Sequence, residues 1–298
     1  MLKRISIPPF FSLIRKGNVF ALLKDGYQDL LLKQGIDDIK TFLKKNSQTS
    51  HYYEGRTPHP SIPLGDGKRM VLRQYSHGGL LRAITGSLYC FGARSFRELT
   101  ITEEIRSCGI PTIEPIGAVH QITVFPPFYQ AYLLTLEVPG ALNAIQYLEK
   151  MGKNPNRETL RHKRKMIGHF SLLLRQFHQM GFFHQDLQMK NILVAGDRIL
   201  IIDFDRSYRK SILSTRERMK NLLRLNRSVE KWRRSGLPIT RTDRRRFFLA
   251  YAGQDKAIRK AMERALHTDS LRSLFYRFGW AVEKVVGSSV FGAPRNQV

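Results

Sequence analysis

Four polar side chains stand at fixed spacing near the middle of the chain: His184, Asp186, Asn191 and Asp203, all within Phe183–Arg206. Asp186 follows His184 by two residues and Asn191 follows Asp186 by five. Two short apolar runs come next, Asn191–Val194 and Arg198–Ile202, split by Ala195-Gly196-Asp197. Gly-Asp between apolar runs predicts a hairpin. The polar residues then sit at strand ends and on the loop before them, where a rigid scaffold displays reactive groups. Two carboxylates and an amide oxygen so placed suit phosphoryl transfer from ATP. Mg²⁺ takes hard oxygen ligands and only a few of them from protein. Asp203 and Asn191 are the expected metal pair, and Asp186 is left to accept the proton of the attacking hydroxyl. His184 reads as a structural hydrogen-bonding residue rather than a proton carrier, because tautomer and partner decide a histidine's job.

The same residue types occur in the same order in protein kinases, as H-R-D-L-x-x-x-N followed by D-F-G. Here the first stretch is His184-Gln185-Asp186-Leu187-Gln188-Met189-Lys190-Asn191 and the second Asp203-Phe204-Asp205. Such a loop needs elements to hold it. Arg157–Met180 has the clearest helical apolar face in the chain, and Gly181 is placed to end it. Met70–Tyr75 alternates as a strand and carries Arg73, the best candidate for the cation that grips the nucleotide phosphates, with Lys68 behind it. A helix is expected from Ser95 to about Ser107. In it Glu98 either pairs with the strand cation or completes a capping box with Ser95, and Glu103 and Glu104 are fall-backs. Tyr129–Leu136 reads as a buried strand broken by Glu137-Val138-Pro139-Gly140, and backbone groups of Glu137 and Val138 are expected to meet the adenine edge. No G-x-G-x-x-G is present, so Gly55-Arg56 or Gly78-Gly79 must cover the phosphates.

Composition sets outer bounds. Of 298 residues, 50 are Lys or Arg and 24 Asp or Glu, a net charge of +26, with 42% hydrophobic residues to build a core. Such a field concentrates anionic partners. After Arg206 the chain carries Lys220, Arg224, Arg227, Lys231, Arg233, Arg234, Arg241, Arg244, Arg245 and Arg246 with apolar residues interleaved, which predicts amphipathic helices with cationic faces split near Gly236 and Pro238. Anionic lipid, a phosphorylated substrate and nucleic acid all match that pattern, and nucleic acid is the least expected of them. No apolar run reaches the length of a membrane span, and the N-terminus is a poor signal peptide. Two cysteines, Cys90 and Cys108, imply neither a disulfide framework nor a metal site.

Taken together these pieces resemble the lipopolysaccharide kinase family, and within it the 3-deoxy-D-manno-octulosonic acid (Kdo) kinases. The resemblance rests on Val71-Leu72-Arg73-Gln74-Tyr75, His77-Gly78-Gly79-Leu80, Arg94-Ser95-Phe96-Arg97-Glu98-Leu99, Gly109-Ile110-Pro111-Thr112, the two stretches quoted above, and Asn221–Ser228. Gln185 stands where the family usually has glycine. The resemblance implies an α+β, protein-kinase-like fold of two lobes, a small antiparallel-sheet N-lobe and a mostly helical C-lobe. It implies ATP and Mg²⁺ as cofactors and a sugar hydroxyl of lipopolysaccharide or lipid A–Kdo as acceptor. It also implies a cytoplasmic enzyme, peripheral on the inner-membrane face. Expected boundaries are a helical extension over 1–50, an N-lobe over 51–137, a C-lobe with basic helices over 138–288, and a flexible tail over 289–298. An atypical, RIO-like bacterial serine/threonine protein kinase is the alternative.

Overall fold

The computed structural model describes residues 6–53, 59–65, 67–76, 86–90, 92–123, 127–152 and 154–266. Its first regular element is a hairpin. β1 (Phe11–Lys16) and β2 (Val19–Lys24) pair antiparallel around Gly17-Asn18, with Gly17 at φ +56°. The expected helical extension over 1–50 therefore begins with a β-hairpin. Helical spacing holds for α1 (Asp25–Gln34) and α2 (Ile39–Asn46), which are separated at Gly35 (φ +88°). It fails before Asp25, because β2 is buried on both faces and so shows an unbroken apolar run instead of alternation. The Gly-Asn pair was the overlooked hairpin signal.

β2 leads directly into a seven-stranded antiparallel sheet of order β1-β2-β6-β7-β5-β4-β3. The other strands are β3 (His51–Tyr53), β4 (His59–Pro63), β5 (Arg69–Gln74), β6 (Pro115–Ile122) and β7 (Tyr129–Leu136). Side chains from alternate positions of β2 enter separate cores. Ala21 and Leu23 pack with Leu31, Ile39 and Phe42 of α1 and α2. Leu22 packs with Phe96 and Leu99 of α3 (Arg94–Ser107). The sheet is thus covered by helices on both faces. The expected capping box at α3 does not form: Ala93 is the N-cap with no side-chain bond, and Ser95 lies buried inside the helix. Glu98 is therefore free of a capping role.

From Leu142 onward the chain is mostly helical. β8 (Leu142–Asn143), α4 (Ala144–Lys150) and α5 (Arg157–Gln179) precede β9 (Phe182–Phe183). The predicted hairpin follows as β10 (Ile192–Ala195) and β11 (Arg198–Ile201), closed by Gly196-Asp197. β12 (Tyr208–Arg209) pairs back onto β9. Then come α6 (Thr215–Arg234) and α7 (Arg241–Ala252), each started by a capping box, and a last helix covering 256–266. Phe170, Leu174 and Phe177 of α5 form the core of this region with Leu187, Phe204, Leu222 and Tyr251. The α+β architecture expected from the sequence, an antiparallel sheet followed by a helical region, is the one observed.

Candidate active site

The loop between β9 and β10 is fixed from behind by α6. Asn221 donates its Nδ2 to the His184 carbonyl at 2.8 Å and accepts the His184 N–H on Oδ1 at 3.0 Å. Arg224 Nη1 donates to the Gln185 carbonyl at 3.2 Å, and Ser228 Oγ accepts the Met189 N–H at 3.2 Å. These three residues, spaced by three and four, share one helix face. Asn221 Oδ1 also accepts from His178 Nε2 of α5 at 3.1 Å, and Tyr251 of α7 donates its hydroxyl to His178 Nδ1 at 2.6 Å. One buried chain of hydrogen bonds so joins α5, α6 and α7 to the loop.

Within the loop, His184 Nδ1 accepts the Asp186 N–H at 3.1 Å and Nε2 donates to the Ile202 carbonyl at 3.0 Å. These two bonds require the neutral ring, and burial lowers the His184 pKa from its ordinary value. Both carboxylates, Asp186 and Asp203, lie near enough to act on that ring electrostatically. Asn191 Nδ2 donates to the Asp186 carbonyl at 2.8 Å. That bond commits the amide nitrogen and presents the amide oxygen as an acceptor. The Asp186 carboxylate is half-exposed and accepts from Gln188 Nε2.

On the other side of the site Arg73 of β5 binds two carboxylates. Its Nη1 is 2.7 Å from Asp203 Oδ1, and its Nη2 pairs with Glu98 of α3. Tyr75 stacks under the guanidinium at 4.7 Å and donates its hydroxyl to Glu98. Burial pushes the Glu98 carboxyl up to about 7, against the pull of Arg73. Burial acts upward on Asp203 too, but the Arg73 charge and hydrogen bond outweigh it and hold that carboxyl below its usual range. Asp203 adopts φ +67°, a left-handed conformation unusual for a non-glycine residue and common where structure serves function. Its neighbours hold it there. Phe204 is buried in the core, and Asp205 is gripped through both oxygens by Arg94 of α3, with Nε at 2.7 Å. Arg94 in turn lies 5.3 Å from each of the Tyr75 and Tyr89 rings.

The structure brings Arg73, Glu98 and Asp203 into one cluster and ties Asn191 to Asp186. Other expected residues lie elsewhere. Lys68 Nζ stands 3.5 Å from the Tyr27 hydroxyl, above the α1 ring and not beside Arg73. The Glu137 side chain turns to Tyr53, Ser61 and Arg69, and its N–H is taken by the Arg69 carbonyl at 2.9 Å. Its N–H is therefore not on offer to an adenine. The Val138 carbonyl accepts from the Ala141 N–H at 3.2 Å. Glu103 and Glu104, the fall-backs, pair with Arg106 and Arg209. Gly55-Arg56 and Gly78-Gly79 lie outside the described residues. Sequence reasoning gave no role to Asn221, Tyr75, Arg94 or Asp205 individually. The contacts that join them to the site, Asn221 to His184, Tyr75 to Glu98 and Arg94 to Asp205, each span more than twenty residues, and only the bare motifs around them are visible in the sequence.

A second feature lies behind the loop. An apolar cavity of about 460 Å³ is lined by Tyr147, Met166, Phe170, Val229, Phe247 and Phe248, with Arg241, Arg244 and Arg245 also on its wall. None of Arg73, Asp186, Asn191 and Asp203 lines it, so it is not the reacting centre.

An antiparallel sheet region and a helical region, meeting at an arginine–glutamate pair, an aspartate in a left-handed turn and a His-x-Asp loop, define the protein-kinase-like class. Comparison with known proteins narrows the class. Residues 42–251 match the lipopolysaccharide kinase (Kdo/WaaP) family. The chain is 33% identical over 201 residues to a 3-deoxy-D-manno-octulosonic acid kinase of Pasteurella multocida, covering 64% of this chain and 79% of that one. It is 30% identical over 168 residues to the protein of the same name from Vibrio vulnificus, covering 55% of this chain and 66% of that one. A solved structure, WaaP in complex with acyl carrier protein, aligns at a TM-score of 0.53 and 17% identity over 84% of this chain and 98% of that one, a likeness of fold. The chain belongs to the lipopolysaccharide kinase (Kdo/WaaP) family, whose members are ATP-dependent kinases of sugar hydroxyls.

Proposed function

We propose that this kinase transfers the γ-phosphoryl group of ATP to a hydroxyl of an acid sugar, Kdo or a neighbouring inner-core sugar, on a lipid-linked lipopolysaccharide precursor. The observation that carries the reading is the joint placement of Asp203 on Arg73–Glu98 and of Asn191 on the Asp186 backbone. In this reading Asp186 accepts the proton of the acceptor oxygen as that oxygen bonds to phosphorus and the bond to ADP breaks. Arg73, held by Glu98 and Tyr75, neutralises the nucleotide phosphates; arginine takes the place that lysine holds in protein kinases, with a planar fork in place of a point charge. The Asn191 oxygen and the Asp203 carboxylate fit a hard cation that keeps most of its water. Bound there, Mg²⁺ would supply positive charge to the transferring phosphoryl group. The Glu137 carbonyl and Val138 N–H are the backbone groups that would meet the adenine.

Two features support a lipid-linked, anionic acceptor. The cationic faces of α6 and α7 suit a membrane surface rich in anionic lipid, and the apolar cavity between them fits an acyl chain. No helix among the described residues is long and apolar enough to cross a membrane. The reading places the enzyme on the cytoplasmic face of the inner membrane as a peripheral protein. Its test is labelled-phosphate transfer from ATP to Kdo–lipid A, to heptosylated core and to a panel of proteins, side by side. Transfer to the sugar acceptors supports the reading, whereas transfer to protein alone would replace it with the RIO-like protein kinase.

A further inference from the structure

Two cations flank the Asp186 carboxylate. Arg224 Nε lies 3.4 Å from Asp186 Oδ1, and Lys190 Nζ lies 3.7 Å from Oδ2. A cation held beside the base is also placed to meet an anionic group of the acceptor. Lys190 also acts on Asp203 electrostatically, which puts it toward the phosphate side. Arg224 comes from the opposite direction, on α6. Its Nη1 is anchored on the Gln185 carbonyl, and Asn221 and Ser228 bind the helix to the loop on either side of it. The guanidinium is therefore pre-positioned at the base, yet 39% of its side chain stays exposed. It belongs to the basic stripe Lys220, Arg224, Arg227 and Lys231, residues three or four apart along α6.

The related kinases are named for an acid sugar, a molecule carrying a carboxylate among its hydroxyls. A guanidinium is the side chain whose planar fork matches a carboxylate. We propose that Arg224 is the anchor for the acceptor's carboxylate, and that this contact sets the reacting hydroxyl against Asp186. The incoming carboxylate takes over the guanidinium that Asp186 now shares, so the base is uncovered as the acceptor arrives. Arg224 thereby selects acid sugars over neutral ones. The inference rests on the sugar-kinase reading above.

The test uses the full chain with ATP, Mg²⁺ and two acceptors, Kdo–lipid A and its carboxylate methyl ester. For the unaltered protein, esterification is expected to lower kcat/KM by about 10- to 100-fold, the scale of a charge-assisted bidentate contact. Arg224→Ala should bring acid and ester to about the same kcat/KM, the acid losing about 10- to 100-fold more than the ester; any loss shared by both acceptors reports the lost contact with the Gln185 carbonyl. Arg224→Lys should recover part of the loss on the acid only. Equal losses on both acceptors in Arg224→Ala would reduce Arg224 to a support for Asp186 and overturn the proposal. So would an unaltered protein indifferent to esterification, a measurement that stands even if the variants fold poorly. If the unaltered protein phosphorylates neither sugar acceptor, the functional reading itself fails, a result distinct from ester-indifferent transfer.

Discussion

Asp203 is a residue held against its preference. A non-glycine residue at φ +67° persists only where its surroundings over-determine it. Here the surroundings are two parallel ion pairs, Arg73 on Asp203 and Arg94 on Asp205, with the Tyr75 ring against both guanidiniums. Arg94 touches neither Asp186 nor Asn191, so it acts through the segment it holds. Arg94→Ala removes a two-oxygen grip on a half-buried carboxylate, a contact on the order of 1–3 kcal/mol. We expect turnover to fall about 10-fold or more, with a raised Mg²⁺ requirement and KM for the acceptor unchanged, measured by titrating Mg²⁺ at saturating ATP. An unchanged Mg²⁺ requirement would show that the Asp203 turn holds without its clamp. At this scale the sequence was most readable where spacing alone carries meaning. Spacing singles out Asp186, Asn191 and Asp203 for the roles proposed above, whereas it leaves Glu98 open between pairing with Arg73 and capping its helix, a choice that the structure makes in favour of Arg73. Lys68, the second candidate cation, lies over the Tyr27 ring of α1, a contact that no spacing along β5 can show.

Among elements, α6 is the one that the loop depends on, and the turn into β9 is the tightest point. Gly181 ends α5 at φ +84°, and a Cβ there would stand 1.8 Å from the carbonyl oxygen of Lys210, the residue that follows β12. The Lys210 N–H bonds the Gly181 carbonyl at 3.0 Å, so neither segment can retreat without losing that pairing. Gly181→Ala therefore combines a left-handed backbone with a backbone clash, and we expect a loss of about 2 kcal/mol or more by denaturant unfolding. A loss below about 0.5 kcal/mol would mean that the β9–β12 ladder slides freely. The basic faces of α6 and α7 belong to this scale as well. Neutralising Arg233, Arg234, Arg244 and Arg245 should weaken binding to anionic liposomes and increase its loss with added salt, at roughly 1 kcal/mol per charge at the surface. Binding that stays unchanged would show that those arginines serve another contact. Several are already engaged within the protein, since Arg233 and Arg244 both bind Glu230. The helices themselves were legible from apolar periodicity and from Gly236 and Pro238. Their internal partners were not, because no pattern of spacing names Glu230 or the Tyr251–His178–Asn221 chain.

For the whole molecule, pH should reveal how much of the fold is built on neutral histidines. His120 stacks on Phe96 at 3.9 Å, and its Nε2 has no hydrogen-bond partner among the described residues. Burial takes His120 and His178 each down to about 3. A group whose folded pKa lies below its unfolded value stabilises the fold above the unfolded pKa, near 6.5, and that stability is lost as pH falls toward the folded value. Each such histidine then costs roughly 2 kcal/mol by pH 5. His120→Phe keeps the stack and removes the charge, so its melting temperature should fall less between pH 7 and pH 5 than that of the unaltered protein. Parallel melting curves would show that His120 is not buried in this way. The overall architecture was legible from alternating strands and one long amphipathic helix. The first hairpin was not, since a strand covered on both faces loses the alternation that marks a strand.

The measurement that bears most directly on the account is turnover of Asp186→Ala with ATP, Mg²⁺ and a Kdo–lipid A acceptor, beside a measurement of ATP binding. Loss of a positioned base predicts turnover lower by about 10² to 10⁴ with ATP binding preserved. Turnover within a few-fold of the unaltered protein would contradict the placement of phosphoryl transfer at this loop.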